Sequence, residues 1–272
     1  MIINYDSPGQ LCNRIWSLVP SIAYGLEHRE KVFLVNFYEY LDYFEDLNKH
    51  KLVSFTSKII FKRIIHSLKV RGYIENGRPN IFSRLLRWNM IEGWTVRLDN
   101  SENVQKQADI IRDIFRFNNK ITSSVDKIFS SLEDTIVIGV HIRRGDYRTW
   151  REGIYFYSDE NYISLMRQLK KQLAINGRDV KFLLCSNELI DLANFRELDC
   201  FVIPESSGEK DLYALSKCSY IIGPPSTYSQ WASFTGKVPM KFIMSPEEEI
   251  KLSDLSLVLS LDRFDNNKEF SF

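Results

Sequence analysis

The chain has few cysteines and histidines for its 272 residues, and their scatter excludes more chemistry than their number does. Cys12, Cys185, Cys200 and Cys218 form no CxxC pair. His28, His50, His66 and His141 stand far apart, so the sequence presents no zinc-ligand spacing. An excess of either charge is also missing. Lysine and arginine total 36 against 35 acidic residues, so no overall field draws in nucleic acid, and any anion must be met by local placement of charge. No run approaches the roughly 20 apolar residues that span a bilayer, and the opening MIINYDSPGQ lacks the basic and apolar segments of a secretory signal. A reducing, cytoplasmic location is the expectation. Repeats and low-complexity tracts are absent too. What is there is ordinary globular composition, 44% apolar and 26% charged, in a chain long enough for two modest domains of roughly 100–200 residues each.

The pattern alternates strands with helices. MIINY reads as a short strand, and Ile15, Leu18, Val19, Ile22, Ala23 and Leu26 then mark one helix face. Pro20 interrupts that face and predicts a kink or an early helix start, and KVFLV at 31–35 returns as a strand. This is a βαβ opening. From Leu47 to Ile74 there is no acidic residue, while seven lysines and arginines crowd among Ile, Phe and Leu in a basic amphipathic stretch, 49–71. Val104, Ala108, Ile111 and Phe115 suggest a further helix, and the polar segment Asn118 to Asp134 is the expected crossing between domains, 1–132 and 133–272. Beyond it TIVIGVHI, VKFLLCS, CFVIP and YIIGP are short β-branched runs, with a helix over 159–175 that carries Tyr162, Met166, Leu169 and Leu173 on one face. Such alternation predicts an α/β chain with parallel sheets covered by helices.

Two segments carry the chemistry. VHIRRGDY, 140–147, follows a buried-looking strand, and in open α/β sheets ligands gather at the carboxyl ends of strands. Arg143 and Arg144 supply a fixed cation pair, His141 a hydrogen-bonding ring, and Asp146 a carboxylate to orient one arginine. Guanidinium matches phosphate oxygens two at a time, so the set suits a diphosphate. The plain alternative is an arginine–aspartate pair that closes a loop. DLYALSKCSYIIGPPSTYSQWASF, 211–234, reads as helix, strand, a stop at Pro224–Pro225, and a new helix capped by Ser226 or Thr227, a natural phosphate cradle. Both segments point at one anion.

HIRRGDY resembles the HxRRxD motif shared by α1,2- and α1,6-fucosyltransferases. DLYALSKCSYIIGPPSTYSQWA resembles their downstream aspartate, strand and serine-rich segment, and GQLCNRIW (9–16) resembles the GxLGNQ-like loop of the α1,2 family. The three motifs fall in the family's order from residue 9 to residue 234. Cys12 stands where that family has glycine and Arg14 where it has glutamine.

The resemblance implies a GT-B-like arrangement of two facing Rossmann-like domains, the first on the acceptor side and the second binding GDP-fucose. It implies Arg143 at the β-phosphate as the main catalytic cation with Arg144 in support, His141 and Asp211 facing guanine, and Ser226 and Thr227 holding the diphosphate. Asn13 would come from the other lobe. The implied reaction is an inverting transfer of L-fucose from GDP-β-L-fucose to a glycan hydroxyl, α1,2 in linkage, in bacterial surface glycan or O-antigen synthesis. Glu152 is the candidate base, one residue displaced from the α1,6 enzymes' glutamate. No cofactor is expected: metal-dependent sugar transferases carry a DxD motif, and no two aspartates here are separated by one residue. Expected partners are GDP-fucose and an oligosaccharide or glycolipid acceptor, with no nucleic acid and with peripheral contact to the inner face of a membrane through 49–71. The competing readings are α1,6 or another nucleotide-sugar transfer, and a catalytically silent GDP- or glycan-binding module.

Overall fold

The computed structural model describes residues 1–74, 81–94, 101–173 and 178–260. The chain divides into two compact units, Met1–Asn118, which Leu259 and Ser260 join, and Asn119–Val258. The division therefore falls one helix earlier than the boundary expected after residue 132.

In the first unit, β1 (Ile2–Asn4), β2 (Val32–Leu34), β3 (Val53–Phe55) and β4 (Asn89–Ile91) form a parallel sheet in the order β3-β2-β1-β4. The βαβ opening is present, with α1 (Leu11–Glu27) between β1 and β2. Pro20 lies inside α1, and the early start is not observed. α1 is held closely to the sheet: the buried Asn4 amide donates to Ser17 O and Ser21 Oγ, both at 2.9 Å. Inside the basic stretch, α2 (Ile59–Val70) turns Phe61, Ile65 and Leu68 onto Ile3, Phe33 and Met90, so its period of about 3.6 seats one face on the sheet. α3 (Ile81–Leu86) precedes β4. The stripe Val104 to Phe115 is two helices, α4 (Ser101–Lys106) and α5 (Ala108–Ile114), because Gln107 leaves helical geometry at φ −98°, ψ 9°.

In the second unit, β5 (Ile136–Ile142), β6 (Val180–Ser186), β7 (Cys200–Phe201), β8 (Tyr220–Gly223) and β9 (Met240–Phe242) form a parallel sheet in the order β7-β6-β5-β8-β9. Every residue of β5 is buried, which is why it reads as an apolar run from Ile136 to Val140. The expected crossing segment is itself a helix, α6 (Asn119–Ser130). It belongs to this unit because it packs on α8 (Gly208–Leu215), where Tyr213 Oη donates to Asp126 at 2.8 Å. α7 (Asp159–Leu173) buries Tyr162, Leu165, Met166, Leu169 and Leu173, and the last two residues of the expected 159–175 helix lie outside the described residues. α9 (Thr227–Gly236) follows β8 after the Pro224–Pro225 stop. Among the described residues no helix is long and apolar enough to cross a membrane.

Candidate active site

In the second sheet the chain moves outward from β5 to β6 and β7, then returns to the other side of β5 for β8 and β9. The crevice beyond the ends of β5 and β8 is therefore a topological switch point, the place where open α/β sheets bind ligands. His141 to Arg144 leave β5 there, and Pro224 to Thr227 leave β8. Gly223 is required by this packing: a Cβ on it would stand 2.7 Å from His141 O.

The arginines diverge in their partners. Arg143 Nη2 lies 2.9 Å and 3.1 Å from the two carboxylate oxygens of Asp146, and its guanidinium sits 5.5 Å from the centre of the Tyr147 ring. Tyr147 in turn donates its phenol to Pro225 O at 2.5 Å, which ties the arginine loop to the entry of α9. Arg144 pairs with Asp159, the first residue of α7, and both side chains are largely buried. Asp159 also accepts from Asn194 at 2.7 Å. Nothing in the sequence pattern marks Asp159 beyond its place in a first helical turn.

The loop backbone is clamped to the end of β6. Arg144 N donates to Asn187 Oδ1 at 2.8 Å, and Gly145 N donates to Glu188 at 3.0 Å. Gly145 adopts φ +57°, where a side chain is strained, and a Cβ would meet Asn187 Nδ2 at 2.8 Å.

His141 is buried, with Nδ1 3.0 Å from Ser229 Oγ and its ring 4.9 Å from that of Tyr228. Burial, helped by the Arg143 charge, pushes its pKa down to about 3, so the ring is neutral at neutral pH. The site's positive charge is thus carried by the arginines. Ser226 is the cap: its hydroxyl accepts from Tyr228 N at 3.2 Å, and Thr227 is the first helical residue. Tyr228 donates to Gly208 O at 2.6 Å and so joins α9 to the start of α8, which carries Asp211. Asp211 is buried and bonded to Ser206; burial and then the Glu209 charge push its pKa up to about 6 against that bond. The geometry therefore assembles Arg143, Asp146 and Ser226 through Tyr147, and His141 and the Asp211 helix through Tyr228. Neither tyrosine carries a sequence signal for this bridging, which depends on partners 20 and 78 residues away. Arg143, tied through Tyr147 to the entry of α9, and the N-terminal end of that helix can together hold a diphosphate by charge and helix dipole.

The sequence pattern of glycosyl transferase family 11 matches residues 21–245, which takes in both segments just described. The chain belongs to glycosyl transferase family 11. No curated protein matches it. Solved structures share its fold at low identity. The NodZ α-1,6-fucosyltransferase soaked with GDP-fucose is 16% identical with a TM-score of 0.57, over 93% of this chain and 96% of that one. A FUT1 variant from Arabidopsis thaliana with GDP is 10% identical, TM-score 0.58, over 94% and 73%. POFUT1 with GDP is 12% identical, TM-score 0.57, over 89% and 97%. Family and fold agree with the fucosyltransferase resemblance read from the motifs, and the chain is a glycosyltransferase.

Two further expected residues of this family 11 chain are located one in each unit. Glu152 lies on the turn Trp150–Gly153, exposed, and both Arg151 (φ 47°) and Glu152 (φ 60°) are left-handed, a costly conformation for residues with side chains. Its carboxylate bonds to no residue of the arginine loop. Asn13 belongs to the first unit, in the first turn of α1. Its neighbour Arg14, the departure from the usual glutamine, serves structure there: it pairs with Glu39 at 2.5 Å and donates to Asn36 O at 3.2 Å.

Proposed function

We propose that the chain transfers L-fucose from GDP-β-L-fucose to a hydroxyl of a glycan acceptor in one inverting, metal-independent displacement, with α1,2 linkage. The observation that carries this reading is the junction of Arg143 and the α9 N-terminus through Tyr147, at the switch point of the sheet. NodZ and POFUT1, which share the fold, have been solved with GDP-fucose. Negative charge grows on the departing GDP as the sugar bond breaks, and donors already in place stabilise it without reorganising. In this reading Arg143 meets the β-phosphate, Arg144 sits fixed by Asp159, and Ser226 and Thr227 present the helix end. The acceptor hydroxyl attacks the anomeric carbon from the opposite side, which yields an α-fucoside. Glu152 is the candidate base, and Asn13 a further donor contact on the strength of its motif alone.

The deciding experiment is titration of GDP and GDP-fucose without divalent metal, followed by assays of GDP release and product linkage. Binding, slow release and an α1,2 product are expected. Binding without release or transfer would identify a silent module instead, no binding would reduce the arginines to a structural loop, and a product of another linkage would move the chain to the other transferase reading. Glu152→Gln that transfers at the wild-type rate would remove that residue from the mechanism.

Asp211 provides a pH test. An ionised carboxylate accepts N–H bonds from guanine, and a protonated one loses that capacity. GDP-fucose affinity is therefore expected to rise as pH climbs through about 6 and to level off above it. GDP-fucose is the ligand to use, because its esterified phosphates lack the second ionisation near 6 that free phosphates show. Asp211→Asn should flatten the profile, and an unchanged profile would dissociate Asp211 from the base.

In this reading the chain meets a glycolipid acceptor at a membrane surface through the stretch 49–71. On α2, Ile60 and Ile64 are exposed, as are Leu85 and Leu86 on and beside the basic residues Arg84 and Arg87. Apolar side chains among cations suit an anionic lipid surface. Co-sedimentation with anionic vesicles should fall several-fold in Ile60→Ser/Ile64→Ser, and equal binding by both proteins would exclude this contact.

A further inference from the structure

Arg143 and Arg144 lie just past the end of a strand, where backbone pairing no longer fixes their direction. β5 and β6 pair in register up to Ile142 and Ser186, and the ladder stops there. The residue after Ser186 takes over with its side chain: Asn187 Oδ1 accepts from Arg144 N at 2.8 Å, and Asn187 Nδ2 donates to Arg144 O at 3.3 Å. A primary amide carries an acceptor and donors on one planar group, so it can occupy the N–H and the C=O of a single residue. It gives Arg144 the two bonds that a parallel partner strand would have given.

The surroundings fit this clamp. Ser186 Oγ accepts from Glu188 N at 3.1 Å and closes the turn that presents Asn187. Glu188 accepts from Gly145 N at 3.0 Å and pairs with Arg148 at 3.1 Å, so the same turn also holds the next peptide. Gly145 adopts φ +57°, and a Cβ there would stand 2.8 Å from Asn187 Nδ2. The glycine of HIRRGDY thus leaves room for an amide that lies outside all three sequence motifs.

Side-chain direction is what the clamp controls. Successive side chains of an extended chain point to opposite faces, and here Arg143 turns to Asp146 and the Tyr147 ring while Arg144 turns to Asp159. Arg144 O accepts from Tyr147 N at 3.1 Å as well as from Asn187, so the clamp also fixes the start of the turn that carries Asp146 and Tyr147. Those two residues can hold the Arg143 guanidinium only where the backbone delivers it. We propose that Asn187 is a positioning residue for donor binding and transfer: by extending the ladder beyond Ser186 it aims Arg143 at the diphosphate without touching the nucleotide. This inference rests on the proposed function.

The test uses the full chain and three variants, Asn187→Ala, Arg143→Ala and the two combined, read by GDP titration and by the rate of GDP release from GDP-fucose. Asn187→Ala should weaken GDP about fivefold and slow release tenfold or more, since a shift of about 1 Å in a positioned group is enough for such losses. In the Arg143→Ala background the same substitution should change GDP affinity less than twofold, because the group it aims is gone. Denaturant titration of each variant ensures that folded proteins are compared. Should Asn187→Ala not fold, Asn187→Gln takes its place, with a neutral amide set one methylene too far out. Release at the wild-type rate in the Asn187 variant would overturn the proposal. So would an equal loss of GDP affinity with and without Arg143, which would mean that Asn187 acts on the nucleotide or on stability by itself. Those outcomes leave the donor reading standing, whereas a wild-type chain that binds no GDP would overturn that reading and this inference with it.

Discussion

Replacing Arg143 by alanine is expected to slow transfer by about 100- to 1,000-fold, the usual loss when one preorganised donor to a developing anion is removed. Asp146 and the Tyr147 ring hold its guanidinium in one position before any ligand arrives, so little reorganisation is needed as charge builds on the diphosphate. The variant should fold normally. Asp146 is 59% exposed, and a partly exposed pair of this kind contributes no more than about 1 kcal/mol to stability. Arg143→Lys restores a charge without the planar fork and should recover only part of the rate. Steady-state GDP release and GDP titration on both variants check this. A loss of less than tenfold, with unaltered GDP affinity, would take Arg143 out of the catalytic role.

The second large effect is expected at Asp159, which acts through Arg144. Its side chain is 17% exposed and that of Arg144 18%, so Asp159→Ala leaves a largely buried guanidinium without its counter-charge. Breaking a pair of that kind costs on the order of 3 kcal/mol, and denaturant titration should show it. Transfer should fall as well, because Arg144 loses its fixed direction. The double variant Arg144→Leu/Asp159→Leu separates the two consequences: an apolar pair of similar volume often restores stability, and it cannot restore a cation. Stability recovered with activity still absent places Arg144 in the chemistry. Activity recovered together with stability would make the pair purely structural.

The legible parts of the fold were those with strong local periodicity. β5 and β6 are largely apolar runs, and the α7 face from Tyr162 to Leu173 repeats at helical spacing, so each is legible from neighbouring residues. β3, β4 and β9 carry no longer apolar run around them of the kind that marks β1 and β2, and each owes its conformation to pairing with a distant strand. The stripe at 104–115 suggests one helix because its apolar spacing continues through Gln107, where the backbone turns. α6 looks like a linker in the sequence because its surface is polar and its place depends on the contact of Asp126 with Tyr213, 87 residues away.

The same division runs through the site. Residue identity and spacing by themselves determined the α/β class, the family and the arginine and serine positions, since a cation pair directly after a buried strand and a hydroxyl directly after a proline stop are local facts. Tertiary structure alone decided how those residues work together. It gave Arg143 to Asp146 and Arg144 to Asp159, neutralised His141 by burying it against Ser229, and joined the segments through Tyr147 and Tyr228. Those choices depend on burial and on partners up to 88 residues apart, and both exist only once parallel strands have brought their carboxyl ends to one edge.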